Sequence, residues 1–195
     1  MEESEIISFL KKNIEPLEND FFGKKYRASV TLKGNIVIPC VEFWDKEAYV
    51  NQAIKRFDQE CGKNSYKETV CTFLTEKNVI NPKDIIQIEQ SKNAMPLNVL
   101  KKIRGETIMS WTGFVLKMKD GKCFNYGTSF SMDFFELPDG YEFSDIAEVV
   151  NHSYIDNDGE MHDWRKTWKS AFEKSDSLNI YRELNYFECY LNGIA

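Results

Sequence analysis

The sequence contains no closely spaced pair of cysteines, no long apolar run and no basic leader. Its five cysteines are odd in number and widely spaced, with no CxxC pair, which excludes a zinc ribbon and a thioredoxin-type redox pair. No apolar run approaches the roughly 20 residues needed to cross a bilayer. The first residues, MEESEIISFLKKNIEPLEND, have neither the basic start nor the apolar core of a secretory signal. These absences predict a cytoplasmic protein with reduced cysteines and no membrane segment.

Motifs that identify a reaction are missing as well. No GxSxG, Walker A or GxGxxG pattern occurs in the 195 residues, so neither a nucleophile elbow nor the usual phosphate and dinucleotide loops are encoded. A cysteine nucleophile needs a nearby histidine, and no local signature joins a cysteine to either of the two histidines. The sequence therefore favours a non-enzymatic protein without a cofactor, with one divalent metal ion as the alternative.

The chain does contain the material of a folded core. Hydrophobic residues make up 42% of it and aromatic residues 14%, whereas disordered chains are poor in aromatics. We expect a single domain over residues 1–195, helix-rich to about residue 104 and sheet-rich from about residue 105. Trp111 and Trp164 fit strand and helix core spacing, which favours packing inside over stacking on a ligand.

The spacing of apolar residues predicts helices and hairpins that do not follow a βαβ order. The turns Lys33-Gly34-Asn35 and Asp120-Gly121 each separate two strand-like runs. The fold class is therefore predicted as α+β, with an antiparallel sheet built from hairpins and several flanking helices. The predicted helices cover residues 2–21, 45–61, 65 onward, 96–103 and 164–174. Pro16 either kinks or ends the first of them. The predicted strands cover 24–32, 35–44, 107–118, 123–137, 148–155 and 186–191, and residues 85–88 form either a helix or a strand.

Charge is distributed very unevenly along the chain. Residues 123–164 contain ten acids and no lysine or arginine, although the whole chain carries 25 basic residues. Six of the acids recur every third residue from Asp133 to Glu148, among aromatic residues, and Pro138 and Gly140 prevent a continuous helix there. One interpretation is a solvated face neutralised by basic segments elsewhere in the fold. The other is an acidic surface that attracts a basic partner and uses an aromatic side chain as anchor.

The second interpretation assigns specific partner-binding residues. The partner is predicted to be a basic protein, such as a toxin or a nucleic-acid-processing enzyme, with no direct binding of nucleic acid because the net charge is −6. The predicted contact residues are Asp133, Glu136, Asp139, Tyr141, Glu142 and Asp145.

The stretch HSYIDNDGEMHDW, residues 152–164, holds both histidines. Asp156-Asn157-Asp158-Gly159 is typical of a hairpin turn, and a three-residue loop with a bulge places Tyr154 opposite His162. His152 then becomes a diagonal neighbour of His162, and with Glu160 the histidines form a zinc-type ligand set. The simpler interpretation is a turn without a ligand, followed by Asp163 as a helix cap.

Two functions follow from these patterns. The first is a non-enzymatic bacterial or phage protein that binds and inhibits a basic partner, in the manner of an immunity protein or antitoxin. The second is a small metal-dependent hydrolase that uses His152, Glu160 and His162. A purely structural subunit is a third possibility.

Overall fold

The computed structural model describes residues 1–19, 23–51, 78–167 and 178–194. The helices with both ends described are α1 (Glu3–Asn13) and the four-residue α2 (Leu97–Leu100). Residues 46–51 and 164–167 are also helical. The strands are β1 (Leu17–Asn19), β2 (Gly23–Leu32), β3 (Ile36–Asp45), β4 (Ile85–Gln90), β5 (Thr112–Met118), β6 (Cys123–Thr128), β7 (Ile146–Asn151), β8 (Ser153–Ile155), β9 (Met161–Asp163), β10 (Ile180–Arg182) and β11 (Phe187–Leu191).

The chain forms two compact units. Unit 1 comprises residues 1–92 and 185–195, and unit 2 comprises residues 93–184. The prediction of one domain over the whole chain stays a prediction. No helix among the described residues is long and apolar enough to cross a membrane.

Unit 1 is built on a five-stranded sheet. Its order is β1-β2-β3-β11, with β4 on β2 beside β1. One face of the sheet packs against α1, whose Ile6 and Leu10 are fully buried among residues such as Phe43 and Leu191. The predicted hairpin β2–β3 is confirmed, with Gly34 and Asn35 at positive φ in its turn. Of the two readings for residues 85–88, the strand is correct.

The first helix is shorter than predicted. A capping box between Glu2 and Glu5 starts α1, which ends at Asn13 rather than continuing to residue 21. Pro16 restricts the residue before it to extended backbone. The chain then pairs as β1 with β2, with Leu17 opposite Lys25. Residues 17–19 therefore form their backbone hydrogen bonds with β2. In the predicted helix they would have formed them within the helix.

Unit 2 contains a four-stranded sheet in the order β10-β6-β5-β7 and the separate hairpin β8–β9. The hairpin β5–β6 is confirmed, although its second strand ends at Thr128. One face of the sheet carries an aromatic core that includes Phe114, Tyr126 and Phe135. The predicted strand over residues 148–155 is broken at His152, which has a φ of 58° and separates β7 from β8.

The mixed α and β composition is confirmed, but the purely antiparallel sheet is wrong. β11 runs parallel to β3, and β10 runs parallel to β6. Each parallel strand returns to the sheet after a long stretch of chain, so no local turn signal reveals its direction. The helices predicted over 45–61 and from 65 lie mostly outside the described residues, although Asp45 caps the first by accepting from the Ala48 backbone N–H at 2.9 Å.

The second face of the unit 2 sheet is shaped by two glycines. Gly113 and Gly127 are directly opposite each other on β5 and β6. A Cβ on Gly127 would lie 2.0 Å from the Trp111 ring, and one on Gly113 would lie 2.6 Å from Trp164 Nε1. Because these two glycines have no side chain, the sheet leaves room for the indoles of Trp111 and Trp164. Trp111 is 6% exposed and Trp164 is 1% exposed. Both tryptophans are core residues, as predicted.

Candidate functional site

The β8–β9 hairpin lies on this glycine face. Asn125 of β6 holds it by accepting from the Ile155 backbone N–H at 2.7 Å and donating to the Ile155 carbonyl at 2.8 Å. The predicted register is confirmed, with Tyr154 opposite His162. Tyr154 is buried between the rings of His162 and Trp164. The predicted helix cap is also confirmed, because Asp163 Oδ1 accepts from the Arg165 backbone N–H.

The hairpin brings together three groups that could bind a metal ion. Ligand atoms of Asp156, Glu160 and His162 all lie within 4.8 Å of one another. Asp156 Oδ2 and His162 Nε2 are 2.7 Å apart, and this hydrogen bond lowers the pKa of the Asp156 carboxyl. The same carboxylate accepts backbone N–H groups from Asp158 and Glu160. As it stands, the cluster is a hydrogen-bonded turn in which the side chains of Asp156 and His162 are already engaged.

His152 has a different environment from the one predicted for it. Its Nδ1 lies 2.9 Å from Thr107 Oγ1, and its backbone bonds to Gly113 and Trp164. Burial is the main cause that lowers the pKa of the His152 imidazole, and the positive charge of the nearby Arg165 lowers it further. The left-handed backbone at His152 ends β7 and starts β8, so its side chain leaves the face that a regular strand would share with His162. Asp156 accompanies Glu160 and His162 instead, and the predicted metal binding stays a prediction.

The acidic block divides into exposed and buried members. We call Glu136, Asp139, Glu142, Asp145 and Glu148 the acidic rim. Four of these residues are exposed and Asp145 is half-buried. Among the described residues, no lysine or arginine forms an ion pair with any member of the acidic rim. Within the described part of the chain these carboxylates are therefore not neutralised by an ion pair, although Lys117 is opposite Glu148 in the β5–β7 ladder.

Asp133 does not belong to this surface. It is 8% exposed, and its Oδ2 accepts from Ser131 Oγ at 2.6 Å. Its backbone carbonyl also accepts from Met95 N–H. The Asp133 carboxylate is thus buried and bonded within its own loop, and its role as a partner contact stays a prediction.

Tyr141 is a packing residue at the edge of the acidic rim. Its ring contacts Phe124 edge-on, and its hydroxyl donates to Asp120 Oδ2 at 2.6 Å. That hydrogen bond lowers the pKa of the Asp120 carboxyl. The backbone N–H of Lys119 donates to the Asp145 carbonyl. These contacts attach the acidic rim to the β5–β6 turn.

Sequence reasoning missed a buried polar face in unit 1. Arg27 on β2 is directly opposite Glu42 on β3, which in turn is opposite Glu188 on β11. Arg27 is 5% exposed and Glu42 only 1%. The alternation of polar and apolar residues along β2 and β3 was visible in the sequence, but this pattern is typical of a face that contacts water. The residues of this polar face are Lys25, Arg27, Glu42, Trp44, Glu188 and Tyr190.

Hydrogen bonds and ion pairs make the polar face compatible with burial. The Glu42 carboxylate accepts from Lys25 Nζ at 3.0 Å and from Trp44 Nε1 at 3.1 Å. Lys25 Nζ also lies 5.1 Å from the centre of the Trp44 ring. Tyr190 donates to Glu188 at 2.6 Å. Buried charges are retained only when they are paired in this way.

A comparison with protein-family models, curated proteins and solved structures found no match to this chain. A proposal about function therefore has to come from the geometry and charge of the described residues.

Proposed function

We propose that this protein binds a basic protein partner through the acidic rim and thereby inhibits that partner. The observation that carries the proposal is the set of exposed carboxylates without an ion pair among the described residues. Surface charges that are already paired contribute little to an external field. Unpaired charges of one sign create a potential that steers and accelerates the approach of an oppositely charged protein.

The attachment of the acidic rim supports this role. Tyr141 and Asp145 fix it to the β5–β6 turn, and a capping box between Glu142 and Asp145 orders the single 3-10 turn at Phe143–Asp145. A partner therefore meets carboxylates that are partly ordered before binding, which reduces the entropy lost on association. Lys122 packs over the Tyr141 ring and pairs with Asp120 rather than with a member of the acidic rim.

The class of partner follows from charge. Enzymes that process nucleic acids carry basic surfaces for phosphate, and a carboxylate-lined protein covers such a surface in the way an immunity protein or antitoxin does. This step is an analogy of surface chemistry rather than of fold. It makes a toxin or another nucleic-acid-processing enzyme the expected partner class.

The test uses two variants with the same change in net charge. The rim variant carries Glu136→Lys, Asp139→Lys and Glu142→Lys. The control variant carries Glu15→Lys, Glu18→Lys and Glu89→Lys, three exposed acids of unit 1. Tagged wild-type and variant chains are purified from cells of the organism that encodes the protein. We expect a basic protein to co-purify with the wild type and the control variant but not with the rim variant. Co-purification of the same proteins in equal amounts with all three chains would contradict the proposal.

The metal-dependent hydrolase remains as a second candidate because of one observation. Asp156, Glu160 and His162 place three ligand atoms within 4.8 Å, and carboxylate and imidazole groups are common zinc ligands. Calorimetric titration of zinc tests it, with His162→Ala as the variant that removes the central ligand. Tight binding that is lost in this variant supports the site, whereas equal heats from both proteins reject it.

A further inference from the structure

Two apolar side chains project into solvent at one end of the unit 2 sheet. Met109 is 82% exposed and Phe130 is 81% exposed. The β5–β6 ladder ends there with the pair Thr112–Thr128, and Met109 and Phe130 lie just beyond this pair on the two chain segments. Methionine and phenylalanine are enriched where proteins bind other proteins.

The segment that presents Met109 is held in an unfavourable backbone conformation. Met109 and Ser110 have φ angles of 40° and 66° in a two-residue turn closed by the Ile108–Trp111 bridge. The Ser110 backbone N–H donates to Glu106 Oε1 at 2.7 Å. Left-handed backbone at residues other than glycine costs about 1 kcal/mol or more and is concentrated at functional sites.

The segment that presents Phe130 is ordered by a different set of hydrogen bonds. The Phe130 backbone N–H donates to Thr128 Oγ1 at 2.9 Å, and this hydroxyl donates to the Ser131 carbonyl at 2.9 Å. Ser131 in turn donates to the buried Asp133. The ring is therefore exposed on a loop with fixed backbone, which lowers the entropy cost of using it in a contact.

Three basic residues lie at this end of the sheet, where Glu106 and Glu183 bond to the backbone of Ser110 and Ser129. Lys101, Lys102 and Arg104 are exposed, and among the described residues none of them forms an ion pair. Asn151 fixes their segment by accepting from the Arg104 backbone N–H at 2.7 Å and donating to the Lys102 carbonyl at 2.9 Å. Because Asn151 is opposite Phe114, this segment lies at the Thr112 end of β5. We call Met109, Phe130, Lys101, Lys102 and Arg104 the basic end.

The 142–148 part of the acidic rim lies at the other end of the same sheet, because the Asp145 carbonyl bonds to Lys119 and Glu148 is opposite Lys117. It is attached to the β5–β6 turn through Asp120 and Lys119. The seven residues of β5 separate the two ends by about 20 Å. Among its described residues, unit 2 thus carries bases without an ion pair and two exposed apolar side chains at one end, and acidic-rim carboxylates without an ion pair at the opposite end.

We infer that the basic end binds the acidic rim of a second copy of this chain. The inference rests on the acidic rim that the proposed function also uses. The acidic rim offers carboxylates to Lys101, Lys102 and Arg104. The half-buried Tyr141 and Phe143, which flank Glu142 in the sequence, offer apolar surface to Met109 and Phe130. Because the two contacting surfaces differ, the contact is heterologous, so each added copy leaves one free surface of each kind and association continues beyond a dimer.

The test combines two variants that each destroy one surface. The end variant carries Met109→Asn, Phe130→Ser and Arg104→Glu, and the rim variant is the one described above. Asparagine tolerates the left-handed backbone at residue 109, and circular dichroism checks that both variants are folded. Masses are measured by analytical ultracentrifugation of the full chain across the micromolar range at low salt.

We expect the wild type to gain mass with concentration, and each variant alone to stay monomeric. An equal mixture of the two variants should form a dimer that does not grow, because only one productive contact remains between them. A wild type that is monomeric throughout, a variant that associates alone, or a mixture that stays monomeric overturns the inference.

The outcome also separates this inference from the proposed function. The end variant keeps an intact acidic rim, so it should still recover the basic host partner while losing self-association. A monomeric wild type with a host partner sensitive to the rim variant rejects only the inference. Self-association with rim-independent recovery of host proteins rejects only the proposed function.

Discussion

The substitution Gly127→Ala tests the packing of the glycine face on which the β8–β9 hairpin lies. The added Cβ would lie 2.0 Å from Trp111 Cζ2 and 2.3 Å from Cη2, whereas ordinary contacts begin near 3.4 Å. The indole would have to move by about 1.4 Å. Trp164 and the Arg182 guanidinium limit that movement, with their centres 5.9 Å and 4.7 Å from the Trp111 ring.

Overpacking of this kind costs typically ~1–3 kcal/mol, and the rigid neighbours place Gly127→Ala at about 3 kcal/mol, the upper end of that range. In a chain of this size, that loss lowers Tm by about 6–12 °C. The control is Gly105→Ala, because Gly105 has ordinary backbone and nothing within 4 Å of an added Cβ. Its free energy of unfolding should change by about 0.5 kcal/mol or less. Urea unfolding of both variants measures the difference, and equal midpoints would refute the packing argument.

Three further predictions concern the buried Glu42 and Asn125 and the half-buried His152. Glu42→Ala leaves the nearly buried Lys25 without its carboxylate and should lower the free energy of unfolding by about 3–5 kcal/mol in urea titrations. Asn125→Leu removes both hydrogen bonds to Ile155 and should cost about 1–3 kcal/mol by the same assay. Because burial lowers the pKa of His152 in the folded state, the unfolded chain binds its proton more tightly. The stability that neutral His152 contributes is complete above its unfolded pKa of about 6.5 and falls with pH below it. His152→Asn should therefore be less sensitive than the wild type to a change from neutral to mildly acidic pH.

Each of these predictions has a matched comparison. Asp84→Asn removes the exposed Lys33 pair and should cost less than about 1 kcal/mol; a loss as large as that of Glu42→Ala would contradict the role of burial. An Asn125→Leu variant as stable as the wild type would show that the hairpin is held by other contacts. Parallel pH profiles for wild type and His152→Asn would contradict the account of His152.

Local features were the easiest to predict from the sequence. The turn residues Asp156 and Gly159 were sufficient to predict the hairpin loop and the pairing of Tyr154 with His162. Asp45 and Asp163 act as helix caps through their own carboxylates, an interaction that spans only two or three residues. In each case the residues that form the contact are close together in the sequence, so a short pattern is enough to predict it.

Features that depend on distant residues were not predicted. The pairing of β11 with β3 requires knowledge that Glu188 lies beside Glu42, and no turn connects them. The burial of the polar face has the same cause, because alternation looks identical whether a face contacts water or protein. His152 does not join the cluster of Asp156, Glu160 and His162. Its backbone is left-handed and its side chain bonds to Thr107, which strand periodicity cannot express.

The central claim is that the acidic rim recruits a basic partner. The most direct measurement is the association rate constant between that partner, once purified, and the wild type, the rim variant and the control variant, at low and high salt. We expect that reversing the rim lowers the low-salt rate by at least about tenfold, that high salt removes most of the difference, and that the control variant changes the rate far less. Equal rates for the rim and control variants would contradict the account, because they would show that net charge rather than the placement of these carboxylates governs binding.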